Sequence, residues 1–209
     1  MRIGIDFRLL SAGPLIVHRG MGRYSQQQLR EVLRLEAGHQ FVLFCREDAD
    51  VRSLLPEIAL SSEVSIAWLP SRGGRSGREL NRPEDVLRET AELQRAIDRQ
   101  EVDLFHATTP CLLDDLVPFR LDGCPLVATH YDLIPLVFPA FYLGDDADRR
   151  RLYRRALDLV RQADRLIALT RHGGREVLEY LGIPPGRVHF AHPLAEPCFR
   201  PLPAEERES

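Results

Sequence analysis

The sequence predicts a doubly wound α/β domain built on a mostly parallel, Rossmann-like sheet. Three observations predict it: short apolar or alternating runs of strand length recur along the chain, amphipathic segments of helical period separate them, and Gly or Pro punctuates the junctions. Strands that alternate with helices connect by right-handed crossovers, which cover both faces of the sheet. No internal repeat of fixed short period competes with that reading.

Ile3, Ile5, Phe7 and Leu9 alternate with Gly4, Asp6 and Arg8, predicting a first strand. A Gly-bearing loop, Ser11 to Gly22, leads into a helix from Tyr24 to Glu36, closed by Gly38. Phe41 to Cys45 and Val64 to Leu69 read as strands two and three, with a weaker helical segment around Val51 to Leu60 between them. Ser71 to Arg82 holds Gly, Arg, Ser and Asn with almost nothing to bury, so a mobile surface loop is expected. Pro83 suits the first turn of a helix that ends near Gln100 and buries Val86, Leu87, Leu93 and Ile97. Val102 to Ala107, Pro125 to Thr129 and Arg165 to Leu169 give strands four to six, and Asp148 to Ala163 is a strong amphipathic helix before the sixth. A helix from Thr170 to Gly182 and a last strand, Val188 to Ala191, complete the series, and the proline-rich stretch from His192 to Pro203 reads as a linker.

A chain of 209 residues, 44% hydrophobic, 28% charged and 7% aromatic, has the composition of one large globular domain or one with appendages, and excludes collagen, a disordered tail or a disulfide knot. All 28 basic residues are arginine; 31 acidic residues outweigh them and mix with them along most segments, which argues against nucleic acid as a partner. Cys45, Cys111, Cys124 and Cys198 form no C-x-x-C pair, against zinc or thioredoxin chemistry and in favour of reduced cytosolic thiols. Asp6 and Arg8 interrupt any signal-peptide core, and no run reaches the ~18 apolar residues of a membrane span, so a cytoplasmic protein is expected.

In such a sheet the ligand crevice lies beyond the carboxyl ends of the strands, where strand order reverses. That rule selects Gly20-Met21-Gly22-Arg23-Tyr24, His106-Ala107-Thr108-Thr109, His130-Tyr131-Asp132 and Thr170-Arg171-His172, all polar or titratable beside apolar strands. Gly20 and Gly22 let a phosphate or sugar approach a helix N-terminus, although the loop is too long, with Ser25 where a third Gly should stand, for a dinucleotide fingerprint. A histidine placed like His106 is more often a hydrogen-bonded core residue, and Thr170 is most simply an N-cap. Alternation sends His130 and Asp132 to one side and Tyr131 to the other. Asp146-Ala147-Asp148 matches a D-x-D metal pattern but opens a helix, where capping explains it; no metal site is expected. Leu133 to Leu143 is apolar except for a Tyr hydroxyl and carries two prolines that forbid a regular helix; any exposed part becomes a candidate acceptor or peripheral membrane contact.

Together these segments resemble the N-terminal domain of retaining nucleotide-sugar glycosyltransferases of family four, GT-B fold. Asp6-x-Arg8, Gly20 to Tyr24, Leu104 to His106, Tyr131 to Pro135 and Ala163 to Thr170 carry the likeness in order, across nearly the whole chain. The resemblance implies an acceptor-side domain over residues 1–191 and a hinge over 192–209 toward a C-terminal domain that holds the donor, so that this stretch alone is inactive. It implies no cofactor, a nucleotide sugar as co-substrate, and an acceptor that is a glycan, a small molecule or lipid-linked. His130, Tyr131 and Asp132 would be the catalytic candidates, and Gly20, Gly22, Arg23, His106, Thr108, Thr170 and Arg171 the substrate-binding ones. Many members read His-Asp after strand five; aligning on Asp132 puts Tyr131 at the His position and shifts His130 back by one, leaving open which of them takes that role. A stand-alone Rossmann-like binding module, or one subunit of a split transferase, is the alternative, because fold alone does not fix function.

Overall fold

Alternating apolar runs become strands and amphipathic stretches become helices in the computed structural model, which describes residues 1–35, 37–55, 61–112 and 120–193. The strands are β1 (Arg2–Asp6), β2 (Gln40–Arg46), β3 (Val64–Leu69), β4 (Leu104–Ala107), β5 (Leu126–His130), β6 (Arg165–Ala168) and β7 (Val188–Phe190). They form one parallel sheet in the order β3-β2-β1-β4-β5-β6-β7, with Gly4 opposite Val42 and Ile5 opposite His106. The chain runs outward from β1 to β3 and then returns to the other side of β1, so the order reverses between β1 and β4. That point is where an α/β sheet opens a crevice.

The helices are α1 (Pro14–Val17), α2 (Gly20–Arg34), α3 (Val51–Leu54), α4 (Pro83–Gln100), α5 (Ile134–Val137), α6 (Pro139–Tyr142), α7 (Ala147–Gln162) and α8 (Arg171–Leu181). Side chains alternate across each strand, which divides the core in two. Ile5, Phe41, Leu43 and Cys45 pack with Leu29 of α2 on one face. Val42, Phe44, Phe105, Leu126, Ala128 and Leu166 pack with α4, α7 and α8 on the other, and the Phe44 and Phe105 rings meet edge to face at 5.3 Å. Gly4 sits between those two rings, because a Cβ there would lie 2.9 Å from Phe44 and 3.0 Å from Phe105.

Three expectations are corrected. The first strand stops at Asp6 rather than Leu9, because the Asp6 carboxylate accepts the Arg8 backbone N–H at 3.2 Å and turns the chain into a 3-10 helix, Arg8–Ala12. The segment from Ser71 to Arg82 is irregular but docked: Leu80 and Asn81 are buried, Asn81 Nδ2 donates to the Asp148 carbonyl at 2.9 Å, and Arg78 pairs with Asp146. Its polar side chains bridge the start of α4 to the start of α7. On α4 the buried positions are Asp85, Glu89, Leu93, Ala96 and Ile97, while Leu87 is exposed, because carboxylates on the inner face meet arginines rather than solvent.

The remaining differences are boundaries. The expected loop from Ser11 to Gly22 contains α1, and α2 begins at Gly20. Residues 56–60, most of the expected linker (194–209) and Cys198 lie outside the described residues. Pro135 and Pro139 stand in the first turns of α5 and α6, where a missing N–H costs nothing, so the stretch from Leu133 to Leu143 folds as two single turns. Its ends, Leu133 and Leu143, are buried, whereas Phe138, Phe141 and Tyr142 are exposed, Phe141 to 87%. Asp146 caps α7 by accepting the N–H groups of Asp148 and Arg149 at 3.1 and 3.0 Å.

Candidate functional site

The strand tips carry most of the candidate residues. At β1, the Arg8 guanidinium forks onto Asp6, with Nε to Oδ1 at 2.9 Å and Nη2 to Oδ2 at 2.8 Å, both side chains buried. Thr108, just past β4, donates its hydroxyl to the Asp6 carbonyl at 2.7 Å and so ties the two strands at the reversal point. This pins the floor of the crevice.

His106 and His130 face opposite sides of the sheet. The His106 ring lies on the α2 side, half-buried, with Nε2 2.9 Å from Thr129 Oγ1. Burial pushes its pKa down to about 4, against the pull of Asp6. His130 lies on the other side at 1% exposure, with Cδ2 3.8 Å from where a Cβ on Gly173 of α8 would stand. Neither of its ring nitrogens has a hydrogen-bond partner among the described residues. Burial lowers its pKa to about 4 as well, opposed by Asp132.

Tyr131 points toward α2. Its hydroxyl lies 3.3 Å from Ser25 Oγ, donates to the Met21 carbonyl at 3.4 Å, and burial raises its pKa so that it stays protonated. Its ring meets Tyr24 edge to face at 5.8 Å. The first turn of α2 and the tip of β5 are therefore one unit. Asp132 is exposed, and its Oδ1 accepts the Ile134 N–H at 3.0 Å, fixing the turn into α5.

Gly20 is exposed at φ +33°, a left-handed value suited to glycine. Gly22 is buried where a Cβ would lie 2.5 Å from the Ile16 carbonyl oxygen and 2.6 Å from that of Val17, so α1 packs directly on α2. Arg23 is exposed on the same turn. Thr170 caps α8 by accepting the Gly173 N–H at 2.9 Å, and Arg171 is exposed beside it. Replacing Thr170 with Ala is expected to lower stability by about 1 kcal/mol, with Ser restoring it, as read by urea denaturation.

Three charged residues behind the tips are not among the sequence candidates. Glu89 of α4 pairs with Arg46 at the end of β2 and, at 3.4 Å, with Arg72. Burial alone would raise the Glu89 pKa, but Arg46, Arg72 and Arg8 together hold it below the usual range. Burial and Arg46 lower Arg72 to about 10 despite Glu89. The available signal was the spacing of Asp85, Glu89, Leu93 and Ile97, four residues apart on one helix face.

The two lowered histidines set a pH dependence. Unfolded His titrates near ~6.5, so between about 4 and ~6.5 the unfolded chain binds more protons than the folded one. Stability is therefore expected to be level above pH 7 and to fall as pH drops through that window, with a shallower slope in His130→Gln, followed by urea midpoints at successive pH values.

Among the described residues no helix is long and apolar enough to cross a membrane, and no group of three or more His, Cys, Asp or Glu could hold a metal ion. A family model, Glycosyltransferase Family 4, matches residues 18–195. No curated protein matches the chain by sequence. Among solved structures, apo UGT2 of Phytolacca americana superposes with a TM-score of 0.56 at 13% identity over 93% of this chain and 52% of its own. Sucrose-phosphate synthase of Thermosynechococcus elongatus gives 0.56 at 16% identity over 91% and 47%. HepE of Anabaena, in complex with UDP, gives 0.51 at 17% over 91% and 43%. The chain spans about half the length of these structures, and at such identities the likeness is one of fold.

Proposed function

Because the chain belongs to glycosyltransferase family 4, we propose that it forms the acceptor side of an enzyme that moves a sugar from a nucleoside-diphosphate sugar to an acceptor hydroxyl with retention. The observation that carries this reading is the bonding of Tyr131, at the tip of β5, to the first turns of α2 beside the β1–β4 reversal point, which joins these tips along one polar edge. Residues 1–191 are the acceptor-side domain, and 192–209 lead to a donor-binding domain that supplies the other wall. The UDP bound to the structurally similar HepE supports a nucleotide donor.

On this reading Gly20 and Gly22 let the donor phosphates approach α2, Arg23 supplies charge there, and Thr170 with Arg171 closes the edge on the α8 side. Tyr131 and Asp132 meet the reacting groups from the β5 tip. His130, neutral and with no partner for either nitrogen among the described residues, can accept or donate one hydrogen bond behind the β5 tip. His106 and Thr108 shape the floor. The contribution of this half is orientation and electrostatic fit rather than proton transfer.

Calorimetric titration of the chain with UDP-, GDP- and ADP-sugars tests the division of labour. Weak or undetectable binding is expected here, and micromolar binding once the chain is fused to a donor-binding domain of the family. Tight binding of a nucleotide sugar by the 209-residue chain alone would overturn it.

A further inference from the structure

A cavity of about 220 Å³ opens between α2 and the sheet, beneath the edge just described. Its composition changes along its length. The first turns of α2 lie over the carboxyl ends of the strands, so Ser25 and Thr108 mark one end and His106 and Gln28 the middle. The far end is Ile3, Val32 and Phe41, and the wall over β5 and β6 is Val127 and Ile167. Ser25 belongs to both the cavity and the edge, since its hydroxyl lies 3.3 Å from that of Tyr131.

Among the described residues that line it, no side chain carries a charge at neutral pH, because burial holds His106, the titratable one among them, down to about 4. A phosphate or carboxylate would find no counter-charge there and would lose its hydration. A cavity of ~150 Å³ lined by Leu, Ile and Phe stays dry and binds benzene. This one is about half as large again, the size of a fused pair of rings or a short run of a hydrocarbon chain.

We infer that this cavity takes the uncharged apolar body of the acceptor, with its hydroxyl at the polar end beside Ser25, Thr108 and Tyr131. The acceptor class is then an amphipathic alcohol or phenol rather than a free sugar. This rests on the reading that the strand-tip edge is the acceptor side, and it adds which kind of acceptor enters.

The probe is 1-naphthol, a fused ring pair with one hydroxyl that is uncharged at neutral pH, titrated into the 209-residue chain by calorimetry, with myo-inositol as the polar comparison. Saturable one-to-one binding of 1-naphthol with a negative heat-capacity change is expected, and none of myo-inositol. Val127→Trp and Ile167→Phe fill the cavity from the half-buried side and are each expected to weaken 1-naphthol binding at least tenfold, with unchanged circular dichroism; two positions guard against one variant misfolding. Leu87→Ser, on the exposed face of α4 and outside the cavity, leaves that binding unchanged. Absence of 1-naphthol binding, binding indifferent to both filling variants, or binding abolished by Leu87→Ser would overturn the inference. Sugar transfer to hydrophilic acceptors by a donor-domain fusion, with no 1-naphthol binding, would sink the inference alone and leave the functional reading standing.

Discussion

Glu89→Ala is expected to cost about 3–5 kcal/mol of folding stability, the penalty for stranding a buried charge. Glu89 is 7% exposed, and Arg46 and Arg72, at 2% and 7%, both bond to its Oε2. Removing the carboxylate leaves two guanidiniums desolvated beside each other and near Arg8, whose charge already lowers Arg46. Domains are stable by only ~5–15 kcal/mol, so the variant is expected near the edge of folding. Urea denaturation followed by circular dichroism reads the loss. Replacing the pair together, Arg46→Met with Glu89→Leu, should cost less than Glu89→Ala, because only one guanidinium, that of Arg72, then loses this carboxylate rather than two. The same carboxylate gives an acid-side signature: its folded pKa is lowered, so its contribution is fully present above the ordinary carboxylate range and is lost as pH falls below that range through the lowered folded value.

Gly22→Ala should be the most damaging single methyl. The contacts it creates, 2.5 and 2.6 Å, are to backbone carbonyls of Ile16 and Val17, which cannot swing aside as a side chain would. The α1–α2 corner must open, and Gln26 Nε2, which donates to the Val17 carbonyl at 2.7 Å, is pulled from its acceptor. A cost of about 1–3 kcal/mol or more follows from overpacking. Because Met21 and Ser25 hold the Tyr131 hydroxyl, faster amide exchange is expected both in residues 19–26 and in residues 130–132. By contrast, Gly174 faces the half-exposed ring of Phe190, which can move, so Gly174→Ala should be milder.

Much of this was legible in the sequence because periodicity reports what each element buries. All seven strands and the long helices follow from apolar runs, and Pro83 and Thr170 mark their helix starts by local chemistry alone. The order of strands was not legible in detail, since the reversal between β1 and β4 is a long-range pairing. Local chemistry also hid the end of β1: apolar alternation continues to Leu9, but one hydrogen bond from Arg8 to Asp6 breaks the strand. The docked segment from Ser71 to Arg82 and the Glu89 cluster escaped for a common reason. Polar residues look solvent-facing until their partners, distant in sequence, are placed beside them. At the tips, alternation correctly separated Tyr131 from His130, yet the partners of Tyr131 sit on α2, more than a hundred residues away.

Retention of configuration in a transfer reaction tests the central claim most directly. The chain, fused at its C-terminal end to a donor-binding domain of the family and supplied with UDP-, GDP- or ADP-linked hexoses and a panel of hydroxylated acceptors, is predicted to yield a glycoside whose anomeric configuration by NMR equals that of the donor. A folded fusion that binds the donor yet transfers to no acceptor, or gives the inverted anomer, would contradict it.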